Sequence, residues 1–254
     1  MINLLMSGCN GKMGQVITKL SANFDNIKIA AGISREPDKF TNSYPVYMDY
    51  QSVKEKIDVV IDFSNPDAIP ELLDFCKTRK TALVLATTGL SPEDYQSVLQ
   101  TSAVLPVFMS ANMSLGINVL IELAKTAATK LGLDFDIEIL EKHHNEKKDT
   151  PSGTALMIAN ELNDGLNHSM DFIYDRFTKK EKRKTNEIGI SSIRGGTIPG
   201  EHTVFFAGKD EIIEIKHTAL SRDIFGMGAI KAAIYVINKQ NGLYDMKSML
   251  KEMI

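Results

Sequence analysis

The residues best equipped for chemistry fall in one stretch: Glu141-Lys-His143-His144-Asn-Glu-Lys147-Lys-Asp149-Thr-Pro151-Ser152-Gly153-Thr154-Ala155. Two adjacent imidazoles and an ammonium run into a Ser-Gly-Thr helix start. A helix N-terminus offers unpaired N–H groups and the positive end of its dipole to whatever precedes it. Imidazoles, ammonium, hydroxyl and helix tip together describe an anion site. Further His or Cys partners at ligand spacing are missing, so the pattern does not predict a metal centre.

A second constellation lies at the N-terminus, Gly8-Cys9-Asn10-Gly11-Lys12-Met13-Gly14. Three glycines at this spacing permit a tight turn, close approach of backbone to phosphate and close packing of helix on strand. A helix starting here would present its N–H groups to a pyrophosphate. Cofactor choice falls to the end of the second strand, Ser34-Arg35-Glu36. Arginine there accommodates a ribose 2′-phosphate, whereas an acid accepts the 2′-hydroxyl. Arg35, with charge added by Lys12, predicts a preference for NADPH. Glu36, turned inward, would leave NADH possible.

The elements that must position these groups follow from periodicity. Apolar runs at 2–6, Ile27–Ile33, Ile57–Phe63, Ala82–Ala86 and Val104–Met109 alternate with helical patterns at Met13–Leu20, Pro66–Lys77 and Ser91–Leu99. Such alternation implies βαβ units and a parallel sheet. Beyond Ser110 the character changes. A helix over Ile117–Leu131, a strand over Asp136–Leu140 and a helix over Thr154–Leu162 precede three strands, Ile188–Ile193, His202–Ala207 and Glu211–Thr218. Arg194-Gly-Gly, Gly200 and His202 read as two strand ends joined by a glycine turn, either a β-hairpin or a wall near the substrate. A final helix, Gly226–Asn238, could return to the first domain. The fold class is therefore α/β: a Rossmann-type parallel-sheet domain (1–112 and 223–254) plus a second α+β domain with a mixed or antiparallel sheet (113–222).

Composition narrows the setting. The 254 residues carry 29 basic and 32 acidic groups, a net charge of −3. No global basic field invites nucleic acid, and the one dense basic run, Lys179–Lys184, reads as a solvated loop. Apolar stretches stop near six residues, far below the ~20 needed to span a bilayer. With no leader pattern and only Cys9 and Cys76, the expected setting is the cytoplasm, without membrane or nucleic-acid partners.

The central string, Glu-Lys-His-His-x-x-Lys-x-Asp-x-Pro-Ser-Gly-Thr-Ala, resembles the signature of the dihydrodipicolinate (4-hydroxy-tetrahydrodipicolinate) reductase family. Further segments resemble the same family in order: Gly-x-x-Gly-x-Met-Gly, Asp62-Phe-Ser-Asn-Pro66, Thr87-Thr88-Gly89, Ser110-Ala-Asn112-Met-Ser-Leu-Gly116-Ile-Asn118 and Arg194-Gly-Gly-x-x-x-Gly200-x-His202-Thr. The resemblance implies NAD(P)H-dependent reduction of a hydroxylated tetrahydrodipicolinate with loss of water, in diaminopimelate and lysine biosynthesis. It implies a pyrophosphate held at Gly8, Cys9, Asn10, Gly11, Lys12 and Met13. Ala86, Thr87 and Thr88, with Ser110, Ala111, Asn112 and Met113, would line the nicotinamide side. His143 matches a proton donor and acceptor, Lys147 a proton donor. His144, Gly153 and Thr154 match positions that hold the substrate carboxylates. Family members are usually homotetramers joined through the sheet of the second domain.

Elementary chemistry agrees with that reading. A dicarboxylate needs fixed positive charge and N–H donors. Hydride addition to a ring carbon leaves electron density on a conjugated nitrogen, which a positioned acid protonates. The residue types leave open whether His143 or Lys147 supplies that proton. This sequence departs from the family pattern at Ala86, where glycine is usual, at Met113, where phenylalanine is frequent and a flat ring would pack on the thioether instead, and at Thr150, where alanine is common. Two other readings fit parts of the pattern: a Rossmann dehydrogenase for a different carboxylate, and a nucleotide sensor that binds without turnover.

Overall fold

The computed structural model describes residues 1–253. In chain order the elements are β1 (Ile2–Ser7), α1 (Lys12–Ser21), β2 (Ile27–Ile33), β3 (Val46–Tyr47), β4 (Val59–Asp62), α2 (Ile69–Arg79), β5 (Ala82–Leu85), α3 (Pro92–Ser102), β6 (Pro106–Met109), α4 (Leu115–Leu131), β7 (Asp136–His143), α5 (Gly153–Gly165), β8 (Asp171–Ile173), β9 (Glu187–Arg194), β10 (Glu201–Ala207), β11 (Ile212–Thr218), α6 (Asp223–Val236), β12 (Gly242–Tyr244) and α7 (Met246–Glu252). They form two compact units, Met1–Leu115 with Arg222–Ile254, and Gly116–Ser221.

The first unit is a seven-stranded parallel sheet in the order β12-β6-β5-β4-β1-β2-β3. Its strands read as unbroken apolar runs because both faces are covered. Side chains alternate between the faces with period two. Leu4, Met6, Val59, Ile61 and Val84 join one core with Ile17 and Leu20 of α1, Ala229, Ile230 and Ala233 of α6, and Met246 of α7. Leu5, Val60, Leu83 and Leu85 join the other with Ile69, Leu72 and Cys76 of α2 and Val98 of α3. Helix α3 starts at a capping box, Ser91 with Asp94, with Pro92 in its first turn. Such caps hold the first-turn N–H groups that no helical carbonyl reaches. Strand order turns around at β1, which lies between β4 and β2. In open α/β sheets the crevice beyond the carboxyl ends of the strands at such a reversal is where ligands bind.

The second unit is a five-stranded mixed sheet, β11-β10-β7-β9-β8. β7 runs parallel to β9 and antiparallel to β10. Helices α4 and α5 cover one face, packing Ile117, Leu120, Ala124, Ile158 and Leu162 on Ile137, Ile139, Ile188, Ile190, Val204 and Phe206. The hairpin reading of the Arg194–His202 segment is corrected here. β9 and β10 do not pair, because β7 lies between them, and the glycine segment crosses the end of β7. The Gly195 N–H bonds the His143 carbonyl and the Asn145 N–H bonds that of Gly196. The basic run is also only partly solvated: Arg183 reaches Asp136 (2.7 Å), Glu138 (3.2 Å) and the Ile137 and Glu187 carbonyls.

Candidate active site

In the first unit the glycine turn joins β1 to α1. Gly8 has φ +78°, a left-handed value natural only to glycine, and a Cβ there would lie 2.6 Å from the Phe63 carbonyl oxygen. Gly14 is buried, and a Cβ on it would strike the Gly8 and Cys9 carbonyl oxygens. Gly11 stands at the N-cap with extended backbone and no side chain to cap the helix, so the first-turn N–H groups are left for a ligand. A groove of about 400 Å³ runs from Gly8 and Gly11 along Ser34 and Arg35 to Phe63, Ser64 and Asn65. Phosphate-sized room beside a helix N-terminus, opening onto an arginine, fits a dinucleotide.

Arg35 is exposed on the groove wall, with the Asp67 carboxylate 3.5 Å away on the other side. Glu36 is not turned inward. Its carboxylate accepts from Lys39 Nζ at 2.6 Å, and its carbonyl accepts from the Asn10 amide at 2.6 Å. Lys12 is exposed and Met13 half-buried at the start of α1, whereas Cys9 and Asn10 are buried. Burial pushes the Cys9 thiol up to about 11, so it serves as a packing residue of the turn.

Asp62, at the end of β4, ties the crevice together. It is fully buried and accepts from Ser7 Oγ (2.5 Å), Ser64 Oγ (2.6 Å) and Thr87 Oγ1 (2.5 Å). With its proton given to Asp62, Ser7 must accept from the Tyr50 hydroxyl at 2.8 Å. Burial raises the Asp62 pKa against these hydroxyl bonds. Ala86 is buried beside Thr87, while Thr88 and Ala111 are exposed. Ser110 Oγ donates to the Asn112 carbonyl and accepts from its N–H, and Asn112 Oδ1 accepts from the Ser114 N–H. Met113 requires a correction. Only 2% exposed, its side chain belongs to the core with α6 and offers no surface on which a flat ring could pack.

In the second unit β7 carries the central string further than apolar periodicity indicated. Its inward face continues Ile137, Ile139, Glu141, His143, so two polar side chains take core positions at the strand's end. Glu141 is fully buried and takes both arms of Arg194, Nη2 to Oε1 at 2.6 Å and Nη1 to Oε2 at 2.8 Å. It also accepts the Ser152 N–H at 3.0 Å and pairs with His143 Nδ1 at 2.6 Å. Burial opposes the charge on Glu141, but the bonds from Arg194, His143 and the Ser152 N–H outweigh it and hold the pKa at about 2. A carboxylate can only accept, so His143 carries its proton on Nδ1. Burial lowers the His143 pKa against the pull of Glu141, with Lys147 and Arg194 lowering it further.

Ser152 caps α5, its Oγ accepting from the Ala155 N–H, and Gly153 and Thr154 open the helix. Lys147 reaches the Asp149 carboxylate at 2.9 Å, and that ammonium, with the nearby backbone of Gly153, holds the Asp149 carboxyl below the usual range. His144 is half-buried with Nδ1 enclosed and without a hydrogen-bond partner. Among the described residues no group of three or more His, Cys, Asp or Glu is placed to hold a metal ion.

Glu141, Asp62, Arg194 and His202 carry structural roles that residue types alone did not assign. His202, on β10, sets its Nε2 3.2 Å from Ser152 Oγ and its ring edge-on to His143 at 5.2 Å. Its Nδ1 is enclosed without a partner. Burial first, then the neighbouring His143, lowers its pKa from 6.5 to about 4, while Glu141 pulls the other way and His217 and Lys147 add to the lowering. A histidine kept neutral in the fold and protonated when unfolded removes stability as pH falls. The loss begins near 6.5 and is complete near 4, at about 3 kcal/mol. Denaturation of wild type and His202→Asn at pH 7 and pH 4.5 checks this: the variant should lose markedly less, and equal losses would exclude His202.

Residues 2–113 match the family model described as dihydrodipicolinate reductase, N-terminus, and residues 116–250 the model for its C-terminus. A 4-hydroxy-tetrahydrodipicolinate reductase of Caldanaerobacter subterraneus subsp. tengcongensis is 53% identical over 252 residues, 99% of either chain. One of Clostridium tetani is 47% identical over 250 residues, 98% of this chain and 97% of the relative. Among solved structures, the dipicolinate-bound dihydrodipicolinate reductase of Paenisporosarcina sp. TG-14 superposes with a TM-score of 0.80 at 25% identity, covering 96% of this chain and 97% of that one.

Proposed function

The chain belongs to the dihydrodipicolinate reductase family, and from that premise we propose how its residues divide the reaction. It is an NAD(P)H-dependent oxidoreductase of diaminopimelate and lysine biosynthesis, reducing 4-hydroxy-tetrahydrodipicolinate to tetrahydrodipicolinate with loss of water. One hydride and one proton enter and one water leaves. A bound reduced nicotinamide supplies the hydride.

The turn from Gly8 to Met13 and the first-turn N–H groups of α1 hold the pyrophosphate. Ala86, Thr87 and Thr88, with Ser110, Ala111 and Asn112, border the nicotinamide. His144 and the N–H groups of Gly153 and Thr154 hold the substrate carboxylates, Lys147 delivers a proton, and His143 Nε2 gives and regains one. One observation carries the substrate half: the Lys147 ammonium already pairs with a carboxylate, that of Asp149 at 2.9 Å, just ahead of the helix start at Gly153 and Thr154. An ammonium that binds one carboxylate within the chain can bind another.

NADPH is the preferred reductant in this reading, supported by Arg35 on the groove wall and by Glu36 being engaged with Lys39. A cytoplasmic setting rests on the biosynthetic family and on two buried unpaired cysteines. A homotetramer joined through the second unit's sheet is supported by the exposed Ile193 and Ile212, which no helix of that unit covers.

The test is an assay that generates the hydroxylated cyclic dicarboxylate in situ and follows loss of reduced-nicotinamide absorbance. Oxidation should require the dicarboxylate, and kcat/KM should be higher with NADPH. Arg35→Ala should lower kcat/KM for NADPH about tenfold or more and leave NADH nearly unchanged, since a charge-assisted bond is worth about 1.5–3 kcal/mol. A strong NADH preference in wild type overturns the cofactor reading. Binding without oxidation overturns the enzyme reading in favour of a sensor.

A further inference from the structure

Arg194 serves none of the steps above directly, yet it touches the supports of both proton-handling residues. It stands on β9 opposite His143 of β7, and Glu141 lies two residues earlier on the same strand face. That register is enough to bring guanidinium, carboxylate and imidazole together. The guanidinium grips Glu141 through both oxygens, at 2.6 and 2.8 Å. Planar two-point pairing of this kind is specific to arginine. Nη2 also donates to the Asp149 carbonyl at 2.8 Å and to Thr150 Oγ1 at 3.2 Å. Asp149 is the residue whose carboxylate holds Lys147.

We propose that Arg194 is a positioning residue: through Glu141 it fixes the proton of His143 on Nδ1, and through Asp149 and Thr150 it fixes the loop that carries Lys147. Glu141, held as a carboxylate, accepts the hydrogen bond from the Nδ1–H. Nε2 is then the nitrogen that exchanges protons, on the side where Gly200 leaves room, a Cβ there lying 3.2 Å from Nε2. A neutral or misplaced Glu141 would release the imidazole to turn over or change tautomer. The groups facing His143 are Glu141 on its own strand, Arg194 on β9, His202 on β10 and Lys147 in the following loop. Of these, only Arg194 binds both the carboxylate and the loop. The proposal rests on the reading of His143 and Lys147 as proton-handling groups, so the experiment measures tautomer and turnover separately.

Protein labelled with ¹⁵N at histidine, in wild type, Arg194→Gln, Arg194→Lys and Glu141→Gln, gives the tautomer of His143 from its two-bond imidazole spectrum. Wild type should show the proton on Nδ1. Arg194→Gln should show a mixture of tautomers, and Glu141→Gln, whose amide can donate to Nδ1, should shift the proton to Nε2. In steady-state kinetics Arg194→Gln should lower kcat about 10- to 100-fold with a smaller change in KM. Loss of a neighbouring cation also moves the His143 limb of the kcat profile to higher pH. Arg194→Lys should restore part of kcat, because charge remains while the two-point grip does not. An unmoved tautomer in both Arg194→Gln and Glu141→Gln overturns the proposal whatever the rates do. A moved tautomer with wild-type kcat leaves Arg194 its hold on the imidazole and removes His143 from the reaction. Should Arg194→Gln fail to fold, Glu141→Gln and Arg194→Lys decide the question by the same spectrum.

Discussion

Replacing Lys147 with alanine should lower kcat by about 10²–10⁴-fold with little change in KM, the range by which a positioned proton donor accelerates a reaction. The ammonium is held 2.9 Å from Asp149, and its side chain is only 22% exposed. A lysine so placed is fixed in position, unlike the freely moving lysines of a charged surface. His143→Ala should fall in the same range. The split between kcat and KM discriminates the roles. If Lys147 binds a carboxylate equally in ground and transition states, its loss raises KM and leaves kcat alone. If it delivers the proton, kcat falls. Two residues on one proton route are also not additive, so the double variant should be little slower than the slower single one. Steady-state kinetics at saturating reduced dinucleotide measures all three. Near wild-type kcat in both single variants would remove the proton-transfer roles.

The sheet of the first unit was legible because its strands are buried on both faces and read as apolar runs, as in Val59-Val-Ile-Asp62 and Ala82-Leu-Val-Leu85. The glycine turn was legible because its spacing follows from backbone contacts, with Gly14 lying against the Gly8 and Cys9 carbonyls. β3, β8 and β12 were not, since two or three residues carry no period and their pairing is settled by neighbouring strands. α7 was marked only by its Asp245 and Ser248 capping box. Apolar periodicity alone ends β7 at Leu140, because Glu141 and His143 are polar. The alternation nevertheless runs on to His143, and a buried ion pair makes those positions tenable. The absence of a β9–β10 hairpin has a topological cause. β9 and β10 are adjacent in sequence, but β7, made some fifty residues earlier, takes the place between them. No local pattern near Gly195 or Gly200 encodes that insertion. The hydroxyl cluster on Asp62 is hidden for the same reason: Ser7, Ser64 and Thr87 meet only once β1, β4 and β5 lie side by side.

Gly14→Ala should weaken binding of the reduced dinucleotide about 10- to 100-fold, because a single methyl there displaces the turn that would hold the pyrophosphate. The added Cβ would overlap the Gly8 and Cys9 carbonyl oxygens, backbone atoms that cannot swing aside as a side-chain end would. Overpacking of this kind costs about 1–3 kcal/mol. Part of that is relieved by moving α1 away from β1, which carries its first-turn N–H groups off the phosphate. Each 1.4 kcal/mol lost from binding is tenfold in Kd. The turn is braced elsewhere, by Gln15 Nε2 on the Cys9 carbonyl at 3.0 Å and by the Gly8 N–H on the Ile33 carbonyl at 3.0 Å, so the strain falls on the binding turn itself. Gly11→Ala serves where Gly14→Ala is too unstable to study. Its Cβ would meet only the Gly8 carbonyl oxygen at 3.2 Å, so the fold can accommodate it while the methyl intrudes on the groove. Gly153→Ala makes the contrast, since a Cβ there meets nothing within 4 Å. Tm and dinucleotide affinity should be unchanged, but KM for the dicarboxylate should rise as the methyl crowds the Gly153 N–H. Fluorescence titration with NADPH, thermal melting and KM together separate the two sites. Wild-type affinity in both Gly14→Ala and Gly11→Ala would mean that the pyrophosphate lies elsewhere.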